Sequence, residues 1–90
     1  MRFFELNYSE LVPETRVERI WIAYDAADDV VSPASLKILV TGEEEIDVYE
    51  NEHADVVEDV YNGIVDSIES GEIVVSVPII ISDVLKMRAA

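Results

Sequence analysis

Twenty of the 90 residues are Asp or Glu, and carboxylates are the one chemically useful group this sequence has in abundance. Hard cations take several oxygen ligands, so the densest runs, Asp25-x-x-Asp28-Asp29 and Glu43-Glu44-Glu45, invite a metal reading. Neither run has the alternating ligands and turn glycine of a calcium loop, and both read as solvated charge. His53 is the only histidine and there is no cysteine, so no zinc site can be assembled from nitrogen and sulfur ligands. On a helical wheel His53 falls above the apolar arc, which predicts a half-buried residue at a helix entrance. None of the serines lies in a nucleophile-elbow sequence, and neither a G-x-G-x-x-G nor a P-loop occurs. Paired-carboxylate glycoside chemistry needs a cleft that so short a chain rarely supplies. The expectation is no enzyme, no catalytic residue, no cofactor and no bound metal.

The carboxylates are unevenly placed. Residues 1–42 carry seven acidic and four basic groups, whereas residues 43–90 carry thirteen acidic and two basic. No Lys or Arg occurs between Lys37 and Lys86, and the whole chain has a net charge of −14. Such a field repels phosphates and anionic lipid heads and attracts basic proteins. Direct nucleic-acid binding and membrane-surface binding are therefore not expected.

The elements that must position these groups follow from periodicity. Alternation over residues 2–8 predicts a strand with Phe4, Leu6 and Tyr8 on one face. The stretch SELVPET, with Pro13, reads as a loop or short turn. Residues 17–24, VERIWIAY, read as a strand with Ile20, Ile22 and Tyr24 opposite Trp21 and Ala23. DAADDVVSP is a turn cluster. LKILV and IDVYE flank TGEEE, a hairpin signal in which Gly42 is free to take a positive φ.

The clearest pattern is a helix over about 53–70. Stepping 100° per residue gathers Val56, Val57, Val60, Tyr61, Ile64, Val65 and Ile68 in one half of the wheel. Asp55, Glu58, Asp59, Asp66 and Glu69 gather at the opposite pole, a row about 21 Å long at 1.5 Å per residue. Asn51 is the expected N-cap and Gly71 the left-handed C-terminal cap. The apolar period runs unbroken through Asn62-Gly63, so Gly63 marks close packing rather than a turn. After the helix, EIVVSV reads as a buried strand. Pro78 places its end at an edge or bulge. Residues 79–87 read as a last strand, or a strand plus a short turn.

This order predicts an α+β fold over a single domain, 1–90. One amphipathic helix packs on a small, mostly antiparallel β-sheet of 4–6 strands. The sheet's other face then holds too many apolar residues for water, Trp21, Val75 and Ile80 among them, which predicts a homodimer. The longest apolar run, IVVSVPIII, falls far short of the roughly 20 residues that span a bilayer. With no signal-peptide pattern at the N-terminus, a soluble cytoplasmic protein is expected.

In size, charge and the 43–72 stretch, the chain resembles phage-encoded inhibitors that mimic DNA or block defence and transcription enzymes, including anti-restriction and anti-CRISPR proteins. Those proteins share no common motif, so no residue is carried over. The resemblance implies a viral protein working in a host cytoplasm. The functional expectation is a small acidic interaction module or inhibitor. It presents Asp55, Glu58, Asp59, Asp66 and Glu69, with the hairpin glutamates Glu43, Glu44 and Glu45, to a basic, nucleic-acid-binding protein surface. The alternative is a structural or housekeeping oligomer subunit adapted to high salt, with no dedicated acidic site. Three features bear on that choice. Lopsided acidity and undiminished apolar content favour the module, and the low lysine count favours salt adaptation.

Overall fold

The computed structural model describes residues 1–7, 10–25, 33–43 and 45–89. Tyr8, the 26–32 part of the turn cluster, including Asp28 and Asp29, and Glu44 lie outside the described residues. The chain is α+β, with two helices and two three-stranded sheets. Its elements are β1 (Phe3–Asn7), β2 (Glu10–Pro13), a 3₁₀ turn (Glu14–Arg16), β3 (Val17–Tyr24), β4 (Ala34–Val40), β5 (Glu45–Asn51), α1 (Ala54–Glu69), β6 (Val74–Ser76) and α2 (Val77–Ala89).

The β3–β4–β5 sheet is antiparallel throughout, with β4 in the middle. Ala34, Leu36, Ile38 and Val40 of β4 alternate into the core with period two, and all four are buried. Ile20 pairs with Ile38 and Ile22 with Leu36, so the inward face of β3 extends the same surface. The β4–β5 hairpin forms as expected, with Gly42 at φ +81° in its turn. α1 lies against this sheet and buries Val56, Val57, Val60 and Ile64. The wheel's apolar half is therefore the packed face.

Both ends of α1 are closed, one of them differently from expectation. The N-cap is His53, not Asn51, and His53 makes no side-chain cap bond. Asn51 acts one step earlier, its Oδ1 accepting the His53 N–H at 2.9 Å, a local turn that delivers the chain into the helix. His53 itself is exposed rather than half-buried. At the C-terminus Gly71 takes φ +78°, Glu72 N–H donates to Ser67 C=O and Gly71 N–H donates to Ile68 C=O. That is the Schellman arrangement. Arg2 adds to it from β1's end of the chain. Its guanidinium donates to Ile68 C=O and Glu72 C=O and pairs with Glu14 at 2.7 Å.

Four expectations are corrected. There are two sheets rather than one, and the stretch expected as a loop or short turn is a turn only in its second part: Glu14–Arg16 is the 3₁₀ turn, whereas residues 10–13 form a strand. Glu10–Pro13 pairs antiparallel with β1, leaving Pro13 at the strand's end and at the sheet's edge. β6 is only three residues long, pairs parallel with β1, and buries Val75 while Ile73 and Val74 stay exposed. Residues 79–87 are not a strand but most of α2. Ser76 starts that helix, its Oγ accepting the Ile79 N–H at 3.4 Å and donating to Glu5. Pro78 sits in the first turn, where a missing N–H costs nothing. Finally, two of the three residues expected on an uncovered sheet face pack within the chain. Val75 is fully buried, and Ile80, Ile81 and Val84 pack against the core from α2. Trp21 is half-buried, with the Arg19 guanidinium 4.5 Å over its ring.

Candidate acidic surface

The five α1 carboxylates lie on the exposed side of the helix, as the wheel places them, but the fold treats them unequally. Arg88, near the end of α2, reaches across to two of them. Its Nη2 is 2.6 Å and its Nε 2.9 Å from Asp59 Oδ2, and its Nη1 is 3.2 Å from Asp55 Oδ2. The bond to Asp59 holds the guanidinium's pKa above its ordinary value. Glu58 accepts a 2.8 Å hydrogen bond from the Tyr24 hydroxyl on β3, which raises the phenol's pKa. Among the described residues, Asp66 and Glu69 receive neither a cation nor a hydrogen-bond donor.

Of the hairpin glutamates, the described Glu43 and Glu45 pair with cations other than Arg88. Glu43 lies 3.9 Å from Arg16, and Glu45 lies 3.4 Å from Lys37. Lys37 binds Asp47 more closely, at 2.6 Å, which raises the lysine's pKa and lowers that of Asp47. These exposed pairs each contribute little to stability, but they remove net charge from the hairpin tip. The lone-cation gap from 38 to 85 therefore does not survive folding intact. Arg88 closes it at one end of α1, and Lys37 and Arg16 close it at the hairpin. The sequence reading missed Arg88 because helical spacing relates residues only within one element, and Arg88 comes from another.

What is left unneutralised is the C-terminal half of the α1 pole. α1 has no basic residue in its last turn. Carboxylates there oppose the helix macrodipole, and Asp66 and Glu69 stand at i,i+3, where like charges repel. The same pole borders a groove of about 530 Å³ between α1 and α2, lined by Asp59, Asn62 and Asp66 on one side and by Asp83 and Met87 on the other. Among the described residues no three Asp, Glu or His side chains converge as metal ligands would. No helix of the described chain is long and apolar enough to cross a membrane.

No protein-family model, no curated protein and no solved structure matches this chain.

Proposed function

We propose that this chain is a small acidic interaction module that binds a basic protein surface through the α1 pole, with Asp66, Glu69 and Glu58 as its principal contacts. One observation carries the reading. Asp66 and Glu69 are held uncompensated at the helix end where a carboxylate is least favourable, although the fold brings one cation, Arg88, to Asp55 and Asp59 on the same helix. Charge placed against the stability of its own helix is explained when a partner supplies the counter-charge. Asp55, Asp59, Glu43 and Glu45 take a lesser part, contributing to the long-range field that steers approach.

The test is capture from host extract with three proteins. These are the wild type, a pole variant (Glu58→Lys, Asp66→Lys, Glu69→Lys) and a variant of equal net charge (Glu10→Lys, Glu18→Lys, Asp25→Lys). Basic proteins retained by the wild type and the matched variant should bind the pole variant at least about tenfold more weakly, a difference of about 1.4 kcal/mol. Equal retention by all three, or equal loss from both variants, shows that the α1 pole is not a binding surface. Asp55 and Asp59 are left unchanged because lysines there would face Arg88 and loosen α2.

A second copy is a weaker occupant. Two chains of −14 repel, and Val75 and Ile80, which argued for a dimer from sequence, are already covered. Light scattering in low-salt buffer is expected to return the 10.1 kDa monomer with its circular dichroism intact. A particle of twice that mass restores the dimer, and unfolding in low salt restores the salt-adapted reading.

A further inference from the structure

We infer that the groove between α1 and α2 grips an arginine or lysine of the partner that is flanked by an apolar residue. This rests on the acidic-module reading and specifies what the partner must present. The bottom of the groove is apolar. Ile80 and Val84 line it and pack against the core, and Gly63, with no side chain, lets α2 come close. Its rim is mostly acidic, with Arg88 at one end and one exposed apolar side chain. Asp59 and Asp66 come from α1, Asp83 comes from α2, and Met87 stands 78% exposed.

The groove contains its own precedent. At one end Arg88 spans from α2 to Asp55 and Asp59, satisfying two carboxylates with one guanidinium. Asp66 and Asp83 border the same groove from opposite helices, and among the described residues neither has a cation within ion-pair distance. Long cationic side chains suit such a mixed surface, because the alkyl stem covers apolar atoms while the charged head reaches the carboxylates. Other occupants fit less well. A purely apolar ligand would desolvate Asp66 and Asp83 with nothing to pair them. A metal ion lacks three convergent ligands among the described residues. Nucleic acid and a second copy share the groove's negative sign.

The experiment is a ¹⁵N-NMR titration of the full chain with an amphipathic peptide carrying arginine and leucine at helical spacing. Two control peptides replace arginine by citrulline or leucine by glycine. Amide shifts should centre on Asn62, Gly63, Asp66, Ile80, Asp83 and Val84. The citrulline peptide should not bind, the glycine peptide should bind several-fold more weakly, and Asp66→Asn/Asp83→Asn should weaken the parent peptide about tenfold. Both aspartates are exposed, so the double variant keeps the fold. Shifts confined to Glu58 and Glu69 or spread over the hairpin, with none at Ile80, Asp83 and Val84, overturn the proposal, as does equal binding of the glycine peptide. Asp83→Asn separates the two readings, since Asp83 borders the groove but is not on the α1 pole. If it leaves peptide binding and capture unchanged while the pole variant loses capture, the groove fails and the module stands. If the pole variant keeps capture, the module itself fails.

Discussion

Val75→Asp is expected to lower stability by about 3 kcal/mol or more, a large part of the roughly 5–13 kcal/mol that a chain of this size has in total. Val75 has no exposed surface, pairs in register with Phe4, and stands two residues before Val77, itself fully buried at the start of α2. A carboxylate there has no donor to meet and no water to reach, so it must protonate or pull β6 away from β1. Val75→Ala is the milder form, costing about 2 kcal/mol for lost methyl burial and the cavity left behind. Urea unfolding followed by circular dichroism measures both, with the midpoint falling more for Asp than for Ala. The result discriminates between two placements of the residue. On a subunit interface Val75→Asp would leave a folded monomer with a nearly unchanged midpoint, and that outcome would contradict the burial described above.

Gly63 is the second position where a small change should have a large effect. A Cβ built there lies 2.7 Å from Cγ2 of Ile80, and that methyl belongs to a β-branched side chain with little freedom to move. Replacing a helical glycine by alanine ordinarily gains about 1 kcal/mol of helix propensity. Here overpacking by one carbon costs about 1–3 kcal/mol, so the expected net effect of Gly63→Ala is destabilisation. Gly63→Val adds two more carbons at the same contact and should cost about 3 kcal/mol or separate the helices. The diagnostic measurement is a double-mutant cycle with Ile80→Ala. Removing the obstructing methyl should make Gly63→Ala neutral or stabilising, with a coupling of about 1 kcal/mol or more. A cycle with no coupling would mean that α1 and α2 do not meet at this pair. The consequence reaches the groove, because any separation of α2 from α1 at Gly63 also moves Asp83 and Arg88 away from the α1 pole.

Much of α1 and its sheet was legible from residue order. Period-3.6 apolarity located α1 to within a residue at each end, and alternation placed β1, β3 and the β4–β5 hairpin. The glycines at 42, 63 and 71 each did what their positions suggested: two positive φ values and one close helix contact. α2 was not legible in the same way. Its run of isoleucines and valines favours a strand by local propensity, and its apolar residues are not confined to one face, since Ile79, Leu85 and Met87 are exposed. What makes it a helix is the stripe Val77, Ile80, Ile81 and Val84 docking at spacings of three and four, together with Ser76 at its start and Lys86 and Arg88 in its last turn. Ser76 followed by Pro78 two positions later was the available signal.

The sequence by itself determined the sign and lopsidedness of the charge, the acidic pole of α1 and the α+β class. These depend on composition and on spacing within single elements, which a linear reading captures. Only the tertiary structure decided which carboxylates stay unpaired. Arg88 is 29 residues from Asp59 and 33 from Asp55, and Tyr24 is 34 from Glu58. Coulomb attraction and hydrogen bonding act through space, so no spacing rule along the chain could have matched them. Folding thereby reduces an acidic rod to a shorter unpaired stretch, Asp66 and Glu69, with Asp66 and Asp83 bordering a groove that exists only because α2 is a helix and packs against Gly63.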